Sequence, residues 1–373
     1  MSGFVFSEKP IQIERGEGAT LYADDGTEYL DFGASYAVAA VGHSHPRVVD
    51  AVQSQAEDLM YVQASYPVEA RTTLYEKLAT VSPPGLDNVW LCNSGTEANE
   101  AAMKFARNAT GRSKIVATRR GFHGRTLGAL AMTWKDKYKK PFEPLAGGIE
   151  FVSYGDSEEL AEAVDEETAA VFLEPIQGEG GIHPADATYL RRAREVTEEA
   201  GAALVFDEIQ TGVGRTGTLW ACERSEVEPD ILTTAKGIAS GLPLGATVCA
   251  DWIADADPEH GSTFSGGPVV CAAANATLDV VVEEDLPTRA ADVGSYLMES
   301  VEDADLPIRD VRGQGLMIGL EVKRGSNRLL RDLALNEQVL ALPAGRTVLR
   351  LLPPLTIEES HADQFVASLE AVL

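Results

Sequence analysis

Positive charge is scarce in this 373-residue chain. Ten lysines and 21 arginines face 58 acidic residues, giving a net charge of −27 and a pI near 4.5. That deficit argues against a nucleic-acid partner, because affinity for a phosphate backbone comes from cations. Long apolar runs are lacking too. None reaches the ~18–20 residues that cross a bilayer, so no membrane partner is expected. The opening MSGFVFSEKP has no basic segment followed by an apolar stretch, so no secretory signal is predicted and the expected location is cytoplasmic. Cysteine is limited to Cys92, Cys222, Cys249 and Cys271, with no CxxC pair. Each sits among apolar or small residues, which predicts free, buried thiols in a reducing compartment. The six histidines make no HExxH-like spacing, so no metal site is indicated.

What the chain has in excess is acid, spread over helical-looking stretches such as Asp156–Glu167 and Glu195–Glu199. Such a pattern reads as a solvated surface. Its density fits a halophilic protein, since screening at high salt shrinks to a few Å and makes crowded like charge tolerable.

The length suggests two domains or more. In the centre, short apolar runs alternate with amphipathic stretches. Strands are predicted at Asn88–Cys92, Ser113–Thr118, Glu150–Val152, Ala169–Leu173, Ala202–Phe206, Ile231–Thr234 and Ala246–Ala250, and helices at Glu97–Asn108, Ser157–Val164 and Thr188–Ala200. That alternation predicts an α/β fold with a mainly parallel sheet covered by helices on both faces. Near the N-terminus, Leu21–Phe32 reads as a hairpin turning at Asp25-Gly26. The tail adds strands near Arg309–Arg312, Leu316–Val322 and Thr347–Leu351. The division expected is a large domain over 37–285 and a small α+β domain built from 1–36 and 286–373.

In sheets of this kind ligands bind beyond the carboxyl ends of the strands. Asp207 ends the apolar run Ala202–Phe206 and is placed to meet one there. A Walker B acid and a plain strand-end cap compete for it, but the chain has no GxxxxGK[ST]. The GxGxxG match at Gly212–Gly217 neither leaves a strand at once nor opens a helix, so it fails as a dinucleotide fingerprint. Lys236 is more telling, because it closes the apolar run Ile231–Ala235 among small residues in a lysine-poor chain. A desolvated lysine has a lowered pKa and attacks aldehydes. The aldehyde cofactor pyridoxal 5′-phosphate needs such a lysine, an acid at its pyridine nitrogen and a phosphate cradle. Asp207 suits the nitrogen, and the Ser94-Gly95-Thr96 turn opening a helix suits the phosphate, although that turn also reads as an ordinary N-cap with Glu97 just inside.

Together these stretches resemble the class III pyridoxal-phosphate-dependent aminotransferases, the acetylornithine aminotransferase group in particular. The resemblance runs through Gly42–Pro46, Asn93–Glu100, Gly121–Thr126, Glu174–Gly181, Asp207–Gln210, Lys236, His260–Phe264 and Leu349–Leu355. It implies the type I fold of that enzyme class. It implies Lys236 and Asp207 as catalytic residues, Gly95 and Thr96 on the cofactor phosphate, Phe122 stacked on its ring and Gln210 near its phenolic oxygen. Thr263 is implied to reach the phosphate of a neighbouring subunit, which makes a homodimer with shared sites. Arg125 and Ser262 are implied as substrate contacts. Glu179 and Arg350 are implied as a switch pair, the arginine binding the α-carboxylate of the acidic substrate and otherwise neutralised by the glutamate. The activity implied is transfer of the terminal amino group of N-acetylornithine, or a similarly α-blocked ornithine or lysine, to 2-oxoglutarate in arginine or lysine biosynthesis. A relative of that reaction carries the donor on a small acidic amino-group carrier protein. Ornithine and 4-aminobutyrate aminotransferases, or a non-catalytic binder on this fold, are the other readings. One departure stands out: Gly267 occupies a position where the family commonly has Asn.

Overall fold

The computed structural model describes residues 9–373. Strands β1 (Ile13–Glu17), β2 (Thr20–Ala23) and β3 (Glu28–Asp31) form an antiparallel meander, with Gly26 at positive φ in the turn where the Asp-Gly pair was expected. The central sheet is built from β4 (Leu86–Cys92), β5 (Lys114–Thr118), β6 (Ile149–Val152) and β7 (Thr168–Leu173), together with three later strands. A short ribbon, β8 (Ile176–Gln177) with β9 (His183–Pro184), interrupts the series. The sheet resumes with β10 (Ala203–Asp207), β11 (Ile231–Thr234) and β12 (Gly245–Ala250).

The spatial order is β4-β12-β11-β10-β7-β5-β6, and only β12 runs antiparallel to its neighbours. Every residue of β7, β10 and β11 is buried. A strand covered on both faces is mostly apolar, which is why these segments read as runs rather than alternating patterns, with Thr168, Asp207, Thr233 and Thr234 as the buried polar residues at their ends. Truncating one of their larger side chains, such as Phe172 or Phe206, is expected to cost about 3–5 kcal/mol through lost burial and the cavity left behind. The helix Gly95–Thr110 shows the complementary logic. Ala98, Ala101, Ala102, Phe105 and Ala106 form one buried stripe at helical spacing, Ser94 Oγ accepts the Glu97 amide, and Gly111 ends the helix at positive φ.

Beyond the large sheet lies an antiparallel one, made by β13 (Ile308–Gln314), β14 (Met317–Val322), β16 (Leu342–Ala344) and β17 (Val348–Leu351) in the order β13-β14-β17-β16. The intervening β15 (Val339–Leu340) pairs in parallel with β3, so a strand from late in the chain completes the N-terminal meander. All four cysteines are buried and unpaired, and burial pushes the thiols of Cys92, Cys249 and Cys271 up to about 12. Among the described residues, no helix is long and apolar enough to cross a membrane.

Candidate active site

Five strands of the large sheet point their carboxyl ends the same way, and the chain leaving each delivers a piece of one site. Asn93 and Ser94 follow β4, Phe122 and Arg125 follow β5, Glu174 follows β7, Asp207 ends β10, and Ala235-Lys236 follows β11. These residues line a cavity of about 470 Å³, joined by Gly95, Thr96, His123, Glu179, Gln210 and others.

Lys236 emerges from β11 with φ +49, a left-handed conformation that a side chain other than glycine adopts only under constraint. Lys236 is half-buried and lines the cavity. Burial is the main reason its pKa falls to about 8, against the attraction of Asp207, Glu179 and Glu174. A larger share of this amine is therefore neutral, and so nucleophilic, than for an ordinary lysine.

Asp207 is fixed from three sides. Its Oδ2 accepts from Asn99 Nδ2 at 2.7 Å and from His123 Nδ1 at 2.8 Å, and its Oδ1 accepts the Ile209 amide at 3.1 Å. Asn99 is in turn held by the Thr233 hydroxyl, 2.8 Å from Asn99 Oδ1. Burial opposes a charge on His123, but the hydrogen bond and charge of Asp207 outweigh it, so the imidazole pKa is raised. Its Nε2 is buried with no hydrogen-bond partner, leaving Asp207 as the ring's anchor.

The helix start at Gly95–Thr96 has first-turn amides with no partner inside the helix. Close packing shapes this corner. A side chain at Gly124 would collide with Thr96, and Gly124 itself sits at φ +137. The Thr96 hydroxyl lies 2.7 Å from that of Thr126 and accepts the amides of Arg125 and Thr126, both at 3.3 Å. The Arg125 guanidinium carbon lies over the ring of Tyr138, 3.7 Å from its centroid, and 5.5 Å from the centroid of the Phe122 ring.

Arg350 is fully buried on β17, and its Nη2 lies 2.7 Å from Glu179 Oε1. The approach is close but poorly aligned, so Arg350 Nε and Nη2 have no properly directed acceptor. The attraction is Coulombic rather than a locked bidentate bond. Arg350 Nη1 donates to Gln210 Oε1 at 3.2 Å. Burial works against the Glu179 charge, but Arg350 prevails and the carboxyl pKa is lowered.

Of the residues singled out in the sequence, Gly95, Thr96, Phe122, Arg125, Glu179, Asp207, Gln210 and Lys236 line one cavity, and Arg350 adjoins it through Glu179 and Gln210. Ser262 reaches the rim, where its hydroxyl accepts from Asn93 Nδ2 at 3.3 Å. Thr263 is exposed and does not line the cavity of its own chain; the Tyr61 hydroxyl donates to its carbonyl. Gly267 caps the helix Pro268–Glu283, with nothing nearer its missing side chain than Tyr61 and Val270.

Three participants carry no role in the sequence analysis. His123 and Asn99 hold Asp207, and Glu174 accepts the amides of Phe122 at 3.0 Å and Gly178 at 3.3 Å. Burial pushes the Glu174 carboxyl up to about 7. All three lie inside the stretches that carried the family resemblance, which is the signal that marks them.

The residues present fit pyridoxal 5′-phosphate: a half-buried lysine of lowered pKa, a carboxylate held by two side chains, and free amides at a helix start that approaches a glycine loop. Comparison with known proteins agrees. The sequence pattern of the family "Aminotransferase class-III" matches residues 6–373, and the chain belongs to that family of pyridoxal-phosphate-dependent transaminases. The chain is 46% identical over 374 residues to a [LysW]-aminoadipate semialdehyde transaminase of Deinococcus radiodurans, covering 99% of this chain and 87% of that protein. It is 45% identical to an acetylornithine aminotransferase of Methanosarcina acetivorans over 98% of this chain and 92% of the relative. Among solved structures, an ornithine aminotransferase from Toxoplasma gondii superposes with a TM-score of 0.93 at 33% identity, covering 98% of this chain and 91% of the other. An N-acetylornithine aminotransferase from Stenotrophomonas maltophilia gives 0.86 at 31% identity, covering 98% and 96%.

Proposed function

We propose that this aminotransferase moves the terminal amino group of an α-blocked ornithine or lysine, N-acetylornithine being the simplest, to 2-oxoglutarate in arginine or lysine biosynthesis. The observation that carries the reading is the Arg350–Glu179 pair, because a buried arginine with undirected donors is ready for a carboxylate. When 2-oxoglutarate or glutamate binds, Arg350 takes its α-carboxylate. When the amine end of the donor enters, it brings no carboxylate there, and Glu179 neutralises the arginine. Arg125, on the cavity wall, serves the remaining carboxylate of either substrate, and Ser262 lends a hydroxyl at the rim.

The cofactor, when bound, supplies an aldehyde and an electron-withdrawing ring. Lys236 would hold the cofactor through that aldehyde, and its amine would move a proton at the reacting carbon. Asp207 keeps the ring nitrogen protonated, with Asn99 and His123 fixing its carboxylate. Gly95 and Thr96 would hold the phosphate, with Phe122 and Gln210 lining the space for the ring.

We further read the chain as a large domain over 37–285 and a small domain from both ends, acting in the cytoplasm as a homodimer. An apolar patch supports the dimer: Met60, Tyr66 and Phe264 are 66%, 59% and 63% exposed, and Tyr61 packs on Phe264 beside Thr263. In that arrangement Thr263 serves the partner's phosphate. A donor borne by an amino-group carrier protein is the second reading, favoured by the likeness to the [LysW]-aminoadipate semialdehyde transaminase. The test is a half-reaction. Cofactor-loaded enzyme is mixed with N-acetylornithine, carrier-borne ornithine, free ornithine or 4-aminobutyrate, and loss of the cofactor's visible absorbance is followed. The α-blocked donors should react at least tenfold faster; a preference for 4-aminobutyrate or free ornithine overturns the reading.

A further inference from the structure

Four successive residues, Ala34, Ser35, Tyr36 and Ala37, stand at φ +39, +53, +67 and +66. None is glycine, and L-residues take this left-handed conformation one at a time, because each Cβ crowds the following carbonyl. Elsewhere among the described residues, non-glycine residues at positive φ occur singly. Inside the turn, Ala37 N donates to Gly33 O at 3.2 Å, and Val38 N and Ala39 N donate to Ala34 O at 2.7 and 3.1 Å. Such a run persists only where the structure around it over-determines it.

The two ends of the segment meet at Asp31 and His43. Asp31 ends β3, which lies between β2 and β15, and it is buried. Its Oδ1 accepts the amides of Gly33 at 2.9 Å and Ala34 at 3.0 Å, at the entry to the turn. Its Oδ2 accepts from His43 Nε2 at 2.8 Å, beyond the exit. His43 is itself fixed to the meander. Its amide donates to Gly18 O at 2.8 Å, its carbonyl accepts from Gly18 N at 3.1 Å, and a side chain at Gly16 would strike its Cβ. The enclosed segment touches two parts of the site. Phe32 O accepts the Leu352 amide at 2.7 Å and Ala40 O accepts that of Leu355 at 2.8 Å, just past Arg350. On the Lys236 side, Val41 N donates to Ser240 Oγ at 3.3 Å, and a side chain at Gly237 would press on Ala40. Val38 lines the cavity, and the Arg350 guanidinium carbon lies 5.3 Å from the centroid of the Tyr36 ring.

We infer that Asp31 and His43 are positioning residues: their contact clasps segment 32–42 into its left-handed turn, and the clasped segment sets Arg350 against the Lys236 turn. The inference rests on the reading of Arg350 as the seat of an α-carboxylate and names what fixes its distance from the reacting end. Lys236 follows a strand of the large sheet and Arg350 lies on a strand of another sheet, so their spacing depends on what bridges the two. A misplacement of about 1 Å in such a group costs roughly 100-fold in rate. With the clasp open, the four left-handed residues relax, and the bonds to Leu352 and Leu355 loosen with them. Lys236 keeps its place at the end of β11. The acidic substrate, which needs both groups, should therefore suffer, while the amine donor, which does not use Arg350, should not.

The test compares the full-length wild type with His43→Ala, which opens the clasp, and His43→Gln, whose terminal amide can again donate to Asp31. Hydrogen exchange of the cofactor-free proteins, read by mass spectrometry, is independent of any reaction. In His43→Ala, segment 32–42 and the amides of Leu352 and Leu355 should exchange at least tenfold faster while β10 and β11 stay unchanged, and His43→Gln should remain within threefold of wild type. Faster exchange throughout the chain, or wild-type exchange in segment 32–42, overturns the clasp. In the cofactor-loaded enzyme, the glutamate concentration giving half-maximal rate should rise at least tenfold in His43→Ala. Its maximal rate, and the half-reaction of the amine donor, should change less than threefold. Equal losses with glutamate and donor overturn the positioning role. If wild type reacts with neither glutamate nor an α-blocked donor, the proposed reaction fails, and the exchange pattern alone upholds or overturns the clasp. Should His43→Ala yield no folded protein, His43→Asn, too short to reach Asp31, takes its place with the same expected outcomes.

Discussion

Arg350, fully buried on β17, lies 2.7 Å from Glu179, whose side chain remains a quarter exposed at the cavity. One group is locked in the core and the other can turn away, so the pair can open without moving the arginine. Glu179→Ala leaves the arginine permanently available. The glutamate half-reaction should stay within about threefold of wild type, while that of the amine donor should fall at least tenfold from the unneutralised buried cation, about 1.4 kcal/mol per tenfold. Stopped-flow half-reaction rates with each substrate check this. Equal losses in both directions would rule out a switch.

Asp207→Asn keeps the shape of the carboxylate and removes its charge. Asn99 and His123 still hold the side chain, so the cofactor should still bind, but turnover should fall by at least ~100-fold, the scale on which a preorganised charge acts. Cofactor content and kcat, measured on the same preparation, separate the two effects.

Glu174 gives a stability signature. Its carboxyl ionises near 4.5 when unfolded and near 7 in the fold, chiefly because it is buried. A carboxyl whose pKa rises on folding costs nothing below 4.5, since both states are protonated. The cost grows as pH climbs through 4.5 to 7 and is complete above that window. Glu174→Gln removes the titration and, like the protonated acid, keeps a carbonyl oxygen for one of the Phe122 and Gly178 amides. Its unfolding free energy should match wild type below about pH 4 and exceed it near pH 8 by on the order of 1–3 kcal/mol, with a correspondingly higher Tm. Thermal melts of the apo protein across that range decide it, and parallel curves refute it.

Arg71 is buried and spends its donors on carbonyls of two loops: Gly266 O at 2.6 Å, Tyr66 O at 2.7 Å and Val62 O at 3.0 Å. These loops carry the exposed aromatic patch and Thr263. Arg71→Gln should therefore weaken the dimer, and cofactor affinity should become dependent on protein concentration. Sedimentation velocity and cofactor titration at two protein concentrations read this out; an intact dimer with wild-type affinity contradicts it.

Much of the fold was legible because the buried strands carry their own signal. β7, β10 and β11 are buried from end to end and carry an apolar run (Ala169–Leu173, Ala203–Phe206 and Ile231–Leu232), and their predicted bounds lie within one residue of those observed. Lys236 stood out because lysine is rare here and its neighbours are small. The support around Asp207 was not legible. Nothing local says that Asn99, one helical turn into Gly95–Thr110, and His123, beyond β5, reach the same carboxylate oxygen. Arg71 was equally hidden, because its partners are backbone carbonyls, which leave no mark in side-chain composition.

The dense acidic surface carries a prediction of its own. If it is an adaptation to concentrated salt, Tm should climb steeply from dilute buffer into molar KCl as repulsion is screened. A melting temperature that does not respond to KCl speaks against a halophilic origin.

The central claim is that one lysine holds the cofactor. Borohydride reduction of the loaded enzyme, followed by proteolysis and mass spectrometry of the peptides, tests it directly. The account predicts a single pyridoxyl-phosphate mass addition, on Lys236; an addition on another of the ten lysines, or none, would contradict it.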